Sequence, residues 1–191
     1  LRPSAAASRS WEHQRLAALY AMARGEAPLV VAAIDAAVQR CVPESVLLES
    51  AITLKTGESY PVETLTARLT AAGYVRCQQV EGPGQFALRG GILDVFSPAM
   101  EQPVRCEFWD DELDAMGAFD VTTQRRVHNL EEALLLPAGE VLPFRDTDTA
   151  EKAAAALEAA GKRLKKKEHT EPLLRQLETD ANALRQGITP N

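Results

Sequence analysis

Two arginines and a tryptophan between positions 85 and 120 are the residues best suited to chemistry in this chain. Arg105, Glu107 and Trp109 stand at every second position, so they share one side of an extended strand. Val104, Cys106 and Phe108 share the other side. Arginine and tryptophan are the residues that most often anchor protein interfaces. The spacing therefore indicates a surface that binds another protein.

The same spacing also fits a purely structural role. In that interpretation Trp109 folds back under a loop, and Arg105 pairs with one of the many nearby acids. The residue pattern alone favours this structural role, because most such pairs only stabilise the fold.

Catalytic signatures are missing from the sequence. It has no Gly-x-x-x-x-Gly-Lys-Ser/Thr loop to hold phosphates. His13, His128 and His169 are scattered, without ligands at metal spacing, and no nucleophile signature occurs. The acids at 110–114 read as a solvated turn between strands. We therefore predict no catalytic residue, no cofactor and no metal site.

Charge and cysteine content limit the partners and the compartment. The formal net charge is −6, and residues 85–120 hold two arginines against eight acids. Such a surface disfavours nucleic acid and anionic membranes but accepts a protein with basic groups. Three separated cysteines indicate a reducing compartment. With no signal peptide and no long apolar run, the chain is predicted to be cytoplasmic, without membrane partners.

Three strands are predicted to position the arginines and the tryptophan. Residues 85–89 alternate in polarity, Gly90-Gly91 marks a tight hairpin or a bulge, and residues 92–96 continue the pattern. The strand with Arg105 follows. Around them, residues 52–54 and 74–78 and one or two segments within 127–136 also read as strands.

Helices are predicted on either side of these strands. One spans residues 11–23 after Ser10, and another begins at Pro61 and ends near residue 72. Before the sheet, the apolar run at 28–33 is typical of a strand buried in a parallel sheet, and a short helix at 35–41 follows it. The N-terminus, which begins at Leu1 rather than Met, looks cut.

Two further helices are predicted near the C-terminus, at residues 150–160 and 171–185. The basic run at 162–167 lies between them. It is suited to contact phosphate or an acidic partner, but a solvated helix end is the favoured interpretation.

Three motifs follow one another in the sequence: QFALRGGILDVF at 85–96, VRCEFWDDELD at 104–114 and FDVTTQR at 119–125. In this order they resemble the bacterial transcription-repair coupling factors (Mfd) in their UvrB-homology region, and a related pattern occurs in UvrB. The weaker resemblance extends from about residue 16 to about residue 143. The segment VAAIDAAVQR at 31–40 and the third motif resemble Mfd more than UvrB.

The resemblance implies a non-catalytic module that docks the excision-repair protein UvrA. Carried over by motif, the family's two arginines and one aromatic fall on Arg89, Arg105 and Trp109. This agreement with the strand pattern reverses the preference for a structural role. The family commonly has Phe at the position of Trp109, so the pocket on the partner would differ. The alternatives are a UvrB fragment, or a remnant of a helicase-type ATPase that serves only as a spacer.

The fold class expected is mixed α+β and α/β. A small antiparallel-sheet domain at 45–143 would be inserted into part of a helicase-like α/β domain, formed by residues 1–44 and the helical return segment 144–191. The resemblance further implies a parent that binds RNA polymerase and translocates on DNA with ATP, through parts outside this chain. In the family, another domain of the same polypeptide masks the UvrA surface at rest.

Overall fold

A computed structural model describes residues 10–140, 142, 147–164 and 170–186. They fall into two compact units, one within residues 8–141 and one from residue 142 onward. In the first unit, helices α1 (Ser10–Ala23), α2 (Ile34–Ala37) and α3 (Glu44–Ser50) precede strand β1 (Ile52–Lys55) and helix α4 (Val62–Ala71).

Seven more strands follow α4 in the described part of the chain. They are β2 (Val75–Arg76), β3 (Gln85–Arg89), β4 (Ile92–Phe96), β5 (Val104–Trp109), β6 (Glu112–Phe119), β7 (Arg126–Asn129) and β8 (Glu132–Leu135). Strands β2 to β7 form one six-stranded sheet in chain order, and β1 pairs with β8 in a second sheet. Every pairing is antiparallel except the short one between β2 and β3.

Turn residues explain why neighbouring strands pair. Arg89 lies opposite Ile92, so Gly90 and Gly91 alone connect β3 to β4. Gly90 has a φ of 59°, which glycine adopts without strain. Trp109 lies opposite Glu112, so the next turn is equally short. Of the two structures predicted for Gly90-Gly91, a tight hairpin or a bulge, the tight hairpin is the one present.

The main core lies between α4 and one face of the large sheet, with the small sheet contributing to it. Leu65 and Leu69 of α4 pack with buried sheet residues such as Phe86, Leu93 and Cys106. The Tyr74 hydroxyl, also buried there, donates a hydrogen bond to the Leu136 carbonyl (2.6 Å). This arrangement of one helix on a mostly antiparallel sheet confirms the predicted mixed α+β class.

One predicted element is wrong. Residues 28–33 do not form a buried strand, and the side chains of Leu29 and Val31 are 81% and 88% exposed. An isolated strand is not stable, because its backbone groups and side chains need neighbours to pair with. None of the strands in the described ranges pairs with this run. The helix predicted after it is shorter than expected and ends at Ala37.

The second unit is a helical hairpin. Helix α5 (Thr147–Leu164) and helix α6 (Glu171–Arg185) pack through a small core of Ala154, Ala181 and Leu184. Arg185 pairs with Glu151 (3.0 Å) and Glu158 (2.6 Å) and so ties the end of α6 to α5. Both predicted helices are present. Of the predicted basic run, Lys162 and Arg163 are exposed at the end of α5, whereas residues 165–167 lie outside the described part of the chain.

Candidate functional site: a protein-binding sheet face

One face of the large sheet carries the predicted site residues, and we call it the arginine face. Its members are Arg89 on β3, Asp94 on β4, and Arg105, Glu107 and Trp109 on β5. The opposite face carries the apolar residues that pack into the main core, as the alternation in the sequence predicts. The strand period therefore sends the apolar side chains inward and these five side chains to the other surface.

A buried carboxylate joins the two predicted arginines. Asp94 is 1% exposed. Arg105 donates from Nε to Oδ1 (2.7 Å) and from Nη2 to Oδ2 (2.9 Å), which is a bidentate pair. Arg89 donates from Nη2 to Oδ2 (2.6 Å). Pairing register explains the contact, because Asp94 lies directly opposite Arg105 in the β4–β5 ladder.

Arg105 is held from several further directions. Its Nη1 and Nη2 donate to the carbonyl and the side-chain oxygen of Gln124 (3.3 and 3.1 Å). Its guanidinium lies over the Phe119 ring, 4.5 Å from the ring centre. The hydrogen bonds to Asp94 raise the pKa of Arg105 above its ordinary value.

The loop that reaches Arg105 is itself fixed by local contacts. Asp120 accepts hydrogen bonds at Oδ1 from the amide (2.7 Å) and the hydroxyl (2.8 Å) of Thr123. These bonds lower the pKa of the Asp120 carboxyl. Gln124 follows with a φ of 59°, which turns its carbonyl and side chain toward Arg105. Sequence reasoning missed both Asp94 and Gln124, although both stand inside the quoted motifs.

Trp109 lies apart from the arginine pair on the same face. It is four residues beyond Arg105 along β5, a separation of about 13 Å at strand rise. Its side chain is 81% exposed. It therefore does not fold back under a loop, as the structural interpretation expected, whereas Arg105 does pair with an acid. Between them, Glu107 pairs with Arg126 of β7.

A shallow depression of about 290 Å³ lies beside Trp109. Gly91, Ile92, Glu107, Phe108, Trp109 and Asp114 line it. Gly91 is required there, because a Cβ at this position would stand 2.7 Å from the Phe108 carbonyl oxygen. The depression is open and partly apolar, so it is suited to a protein side chain rather than to an enclosed small molecule.

The acids at the β5–β6 turn have a structural use. Asp111 Oδ1 accepts a hydrogen bond from the Val62 amide (3.3 Å), and its carbonyl accepts one from the Tyr60 amide (2.7 Å). Asp111 thus caps the start of α4, which leaves fewer acids free in this turn than the sequence suggested. Within the described ranges, no group of three or more histidines, cysteines or acids could hold a metal ion, and no helix could span a membrane.

Comparisons with known proteins agree with this architecture. Residues 52–140 match the family model described as "UvrB interaction domain". The chain is 33% identical to the transcription-repair-coupling factor of Bacillus subtilis over 187 residues, which is 97% of this chain and 16% of that protein. The factor of Myxococcus xanthus is 38% identical over 146 residues, which is 75% of this chain and 12% of that protein.

A third relative has the same name. The transcription-repair-coupling factor of Escherichia coli is 36% identical over 126 residues, which is 66% of this chain and 11% of that protein. The chain therefore spans less than a fifth of the length of these relatives. The match at 52–140 contains both sheets and the arginine face. The chain belongs to the transcription-repair-coupling factor family, as the region that contains the UvrB interaction domain.

Proposed function

We propose that this chain is a non-catalytic docking module of nucleotide excision repair, which binds UvrA through Arg89, Arg105 and Trp109. The observation that carries the proposal is an exposed indole on the same sheet face as two arginines. A large apolar side chain in water gains free energy when a partner buries it. The guanidiniums elsewhere on the same face fix the orientation of that partner through charge-assisted hydrogen bonds.

The charge of the module supports a protein partner rather than DNA. Residues 85–120 carry two arginines against eight acids, which gives a field that repels phosphates. Inside that field the arginines act as two fixed cationic points. A protein with basic groups around its binding site is complementary to such a surface.

Membership of the family supports further proposals about the parent protein. We propose that residues 1–44 and 144–191 belong to a helicase-like domain that flanks the docking domain at 45–143. The parent would bind RNA polymerase and translocate on DNA with ATP in the cytoplasm, through parts outside this chain. Another domain of the parent would mask the arginine face at rest.

Titration with purified UvrA tests the docking proposal. The wild-type chain is expected to bind with a micromolar or lower Kd, equivalent to about −8 kcal/mol or better. Arg89→Ala and the double variant Arg105→Ala/Trp109→Ala are each expected to weaken binding at least about tenfold, since interface arginines and tryptophans carry most binding energy. Calorimetry measures the affinities, and circular dichroism checks the fold.

The chain offers matched controls. Trp11 is as exposed as Trp109 (78% against 81%) but lies on α1, and Arg68 lies on α4. Trp11→Ala and Arg68→Ala should leave the affinity within twofold of wild type. If the folded wild-type chain does not bind UvrA, the docking proposal is wrong and the spacer role becomes the better account. Binding of ATP by the chain would instead favour an active helicase-type ATPase.

A further inference from the structure

The two arginines of the docking surface differ in how many donors they can offer a partner. A guanidinium has five N–H donors. Arg105 uses four of them, two on Asp94 and two on Gln124. Within the described ranges, Arg89 uses one, on Asp94 Oδ2, and its side chain is half exposed. Arg89 therefore presents most of its donors to solvent, whereas Arg105 is largely committed to the protein itself.

The buried carboxylate makes this arrangement electrostatically stable. Arg89 on β3 and Arg105 on β5 flank β4, and their guanidiniums repel each other, the more so as solvent is excluded. Asp94 places one negative charge between them, at 2.6 Å from Arg89 and 2.7 Å from Arg105. The three groups keep a net charge of +1, because the nearby Glu107 is already paired with Arg126. One positive charge with free donors at Arg89 is suited to an acidic side chain of a partner.

Small residues stand beside Asp94 and Arg105 in the sheet. In the row of the sheet that holds Asp94 and Arg105, the flanking positions are Ala87 and Gly117. A Cβ on Gly117 would stand 2.7 Å from the His128 carbonyl oxygen and 3.1 Å from the Arg126 side chain. In this row, the Asp94 side chain is buried and contacts both arginines.

We propose that Asp94 is a positioning residue of the docking surface, whose carboxylate fixes Arg105 and holds Arg89 in place to receive an acidic group of the partner. The inference rests on the docking function proposed above. Asp94 itself has no surface to offer UvrA, so it acts through the two arginines. A positioning role predicts that its charge matters for binding beyond its contribution to the fold.

Nuclear magnetic resonance of the free chain tests the positioning without UvrA. The Nε–H of Arg105 donates to a buried carboxylate, so its signal should persist at neutral pH, where exposed arginine side chains exchange rapidly with water. Asp94→Asn should remove that signal while the backbone amide signals of β3 to β6 stay near their wild-type positions. A wild-type chain without a protected Arg105 signal would overturn the proposal, even if the variant failed to fold.

Titration with UvrA supplies the functional measurement. Asp94→Asn is expected to weaken binding at least about tenfold, since charge-assisted hydrogen bonds to both arginines are lost. Glu132→Gln is the matched control, because Glu132 forms an exposed pair with Lys55 in the small sheet and should leave binding unchanged. Unchanged binding by Asp94→Asn, or weaker binding with a disrupted backbone spectrum, would overturn the positioning role. Failure of the wild-type chain to bind UvrA would instead overturn the docking function. The Nε–H signal of Arg105 would still show whether Asp94 holds Arg105 in place.

Discussion

At the scale of single residues, exposure alone does not mark the docking surface. Trp11 and Trp109 are almost equally exposed, yet only Trp109 shares a sheet face with cationic side chains. Burial of a large apolar side chain contributes about 1.5–3 kcal/mol, so either indole could strengthen an interface. The arginines on the same face as Trp109 add direction and selectivity, which an isolated indole lacks. The combination, rather than the tryptophan, distinguishes the arginine face.

Cys106, on the core side of β5, should make the stability of the fold depend on pH. Its burial raises the pKa of its thiol to about 12, against about 8.5 in an unfolded chain. A raised pKa in the folded state means that the stabilising contribution is complete below about pH 8.5 and is lost as pH rises toward 12. The free energy of unfolding should therefore fall between pH 8.5 and 10, by at most about 1.4 kcal/mol per pH unit for this group.

Urea denaturation at a series of pH values measures this effect. Cys106→Ala should be less stable at every pH, because it leaves a cavity, but its stability should fall less steeply above pH 8.5. Cys41→Ala is the control, since Cys41 is exposed, and its pH profile should match that of wild type. Equal slopes for wild type and Cys106→Ala would contradict the assignment to Cys106.

The sequence predicted those parts of the site whose positions depend on local strand alternation, and missed those that depend on how strands pair. The strand period placed Arg105 and Trp109 on one face, because alternation is a local property. The carboxylate that Arg105 binds was not predictable in the same way. Eight acids lie between residues 85 and 120, and only the β4–β5 register selects Asp94 among them. Register depends on the turns and on the packing of both strands together.

At the scale of elements, the tightest constraint is the approach of Gly91 to β5. Its carbonyl accepts a hydrogen bond from the Phe108 amide (2.7 Å), and a Cβ would collide with the Phe108 carbonyl oxygen. Gly91→Ala is therefore expected to lower the free energy of unfolding by about 1–3 kcal/mol, as overpacking usually does. It should also weaken UvrA binding, because the strand that carries Trp109 has to move.

Gly82→Ala is the matched control for this change. Gly82 has no atom within 4 Å of an added Cβ and no left-handed φ, so its substitution should change stability by no more than about 0.5 kcal/mol. Urea denaturation compares both variants with wild type. If Gly91→Ala were as stable as Gly82→Ala, the close approach of the two strands would not be a real constraint.

The elements were predicted well where their partners are near in sequence. The β3–β4 hairpin follows from Gly90-Gly91 and alternating polarity, and α4 follows from Pro61 and its leucines, whereas β6 was not predicted as a strand. The run at 28–33 was misassigned because a continuous apolar run is typical of a strand that other elements cover on both faces. The run itself does not show whether those covering elements are present. In the structure Leu29 and Val31 are exposed, so none of the described residues covers these side chains as a buried strand would require.

At the scale of the whole molecule, charge excludes one class of partner. With a net charge of −6, the chain is expected to bind duplex DNA with a Kd weaker than about 10⁻⁴ M at physiological salt, the weak limit of non-specific binding. Fluorescence anisotropy with a labelled duplex measures this. Tighter binding that Lys162→Ala/Arg163→Ala abolishes would show that the basic end of α5 contacts phosphate. The double variant Glu171→Ala/Glu178→Ala, which changes two exposed residues of α6, serves as the control.

Strand order in the large sheet has a consequence for the folding of the nascent chain. Strands β3 to β7 pair in the order in which they are synthesised, so the contacts among them have low contact order and form quickly. The pair of β1 with β8 must instead close a long loop, and β8 is made after every other strand of the described part of the chain. The arginines and Trp109 all lie before β8, so their strands can assemble during translation, before the small sheet closes the domain.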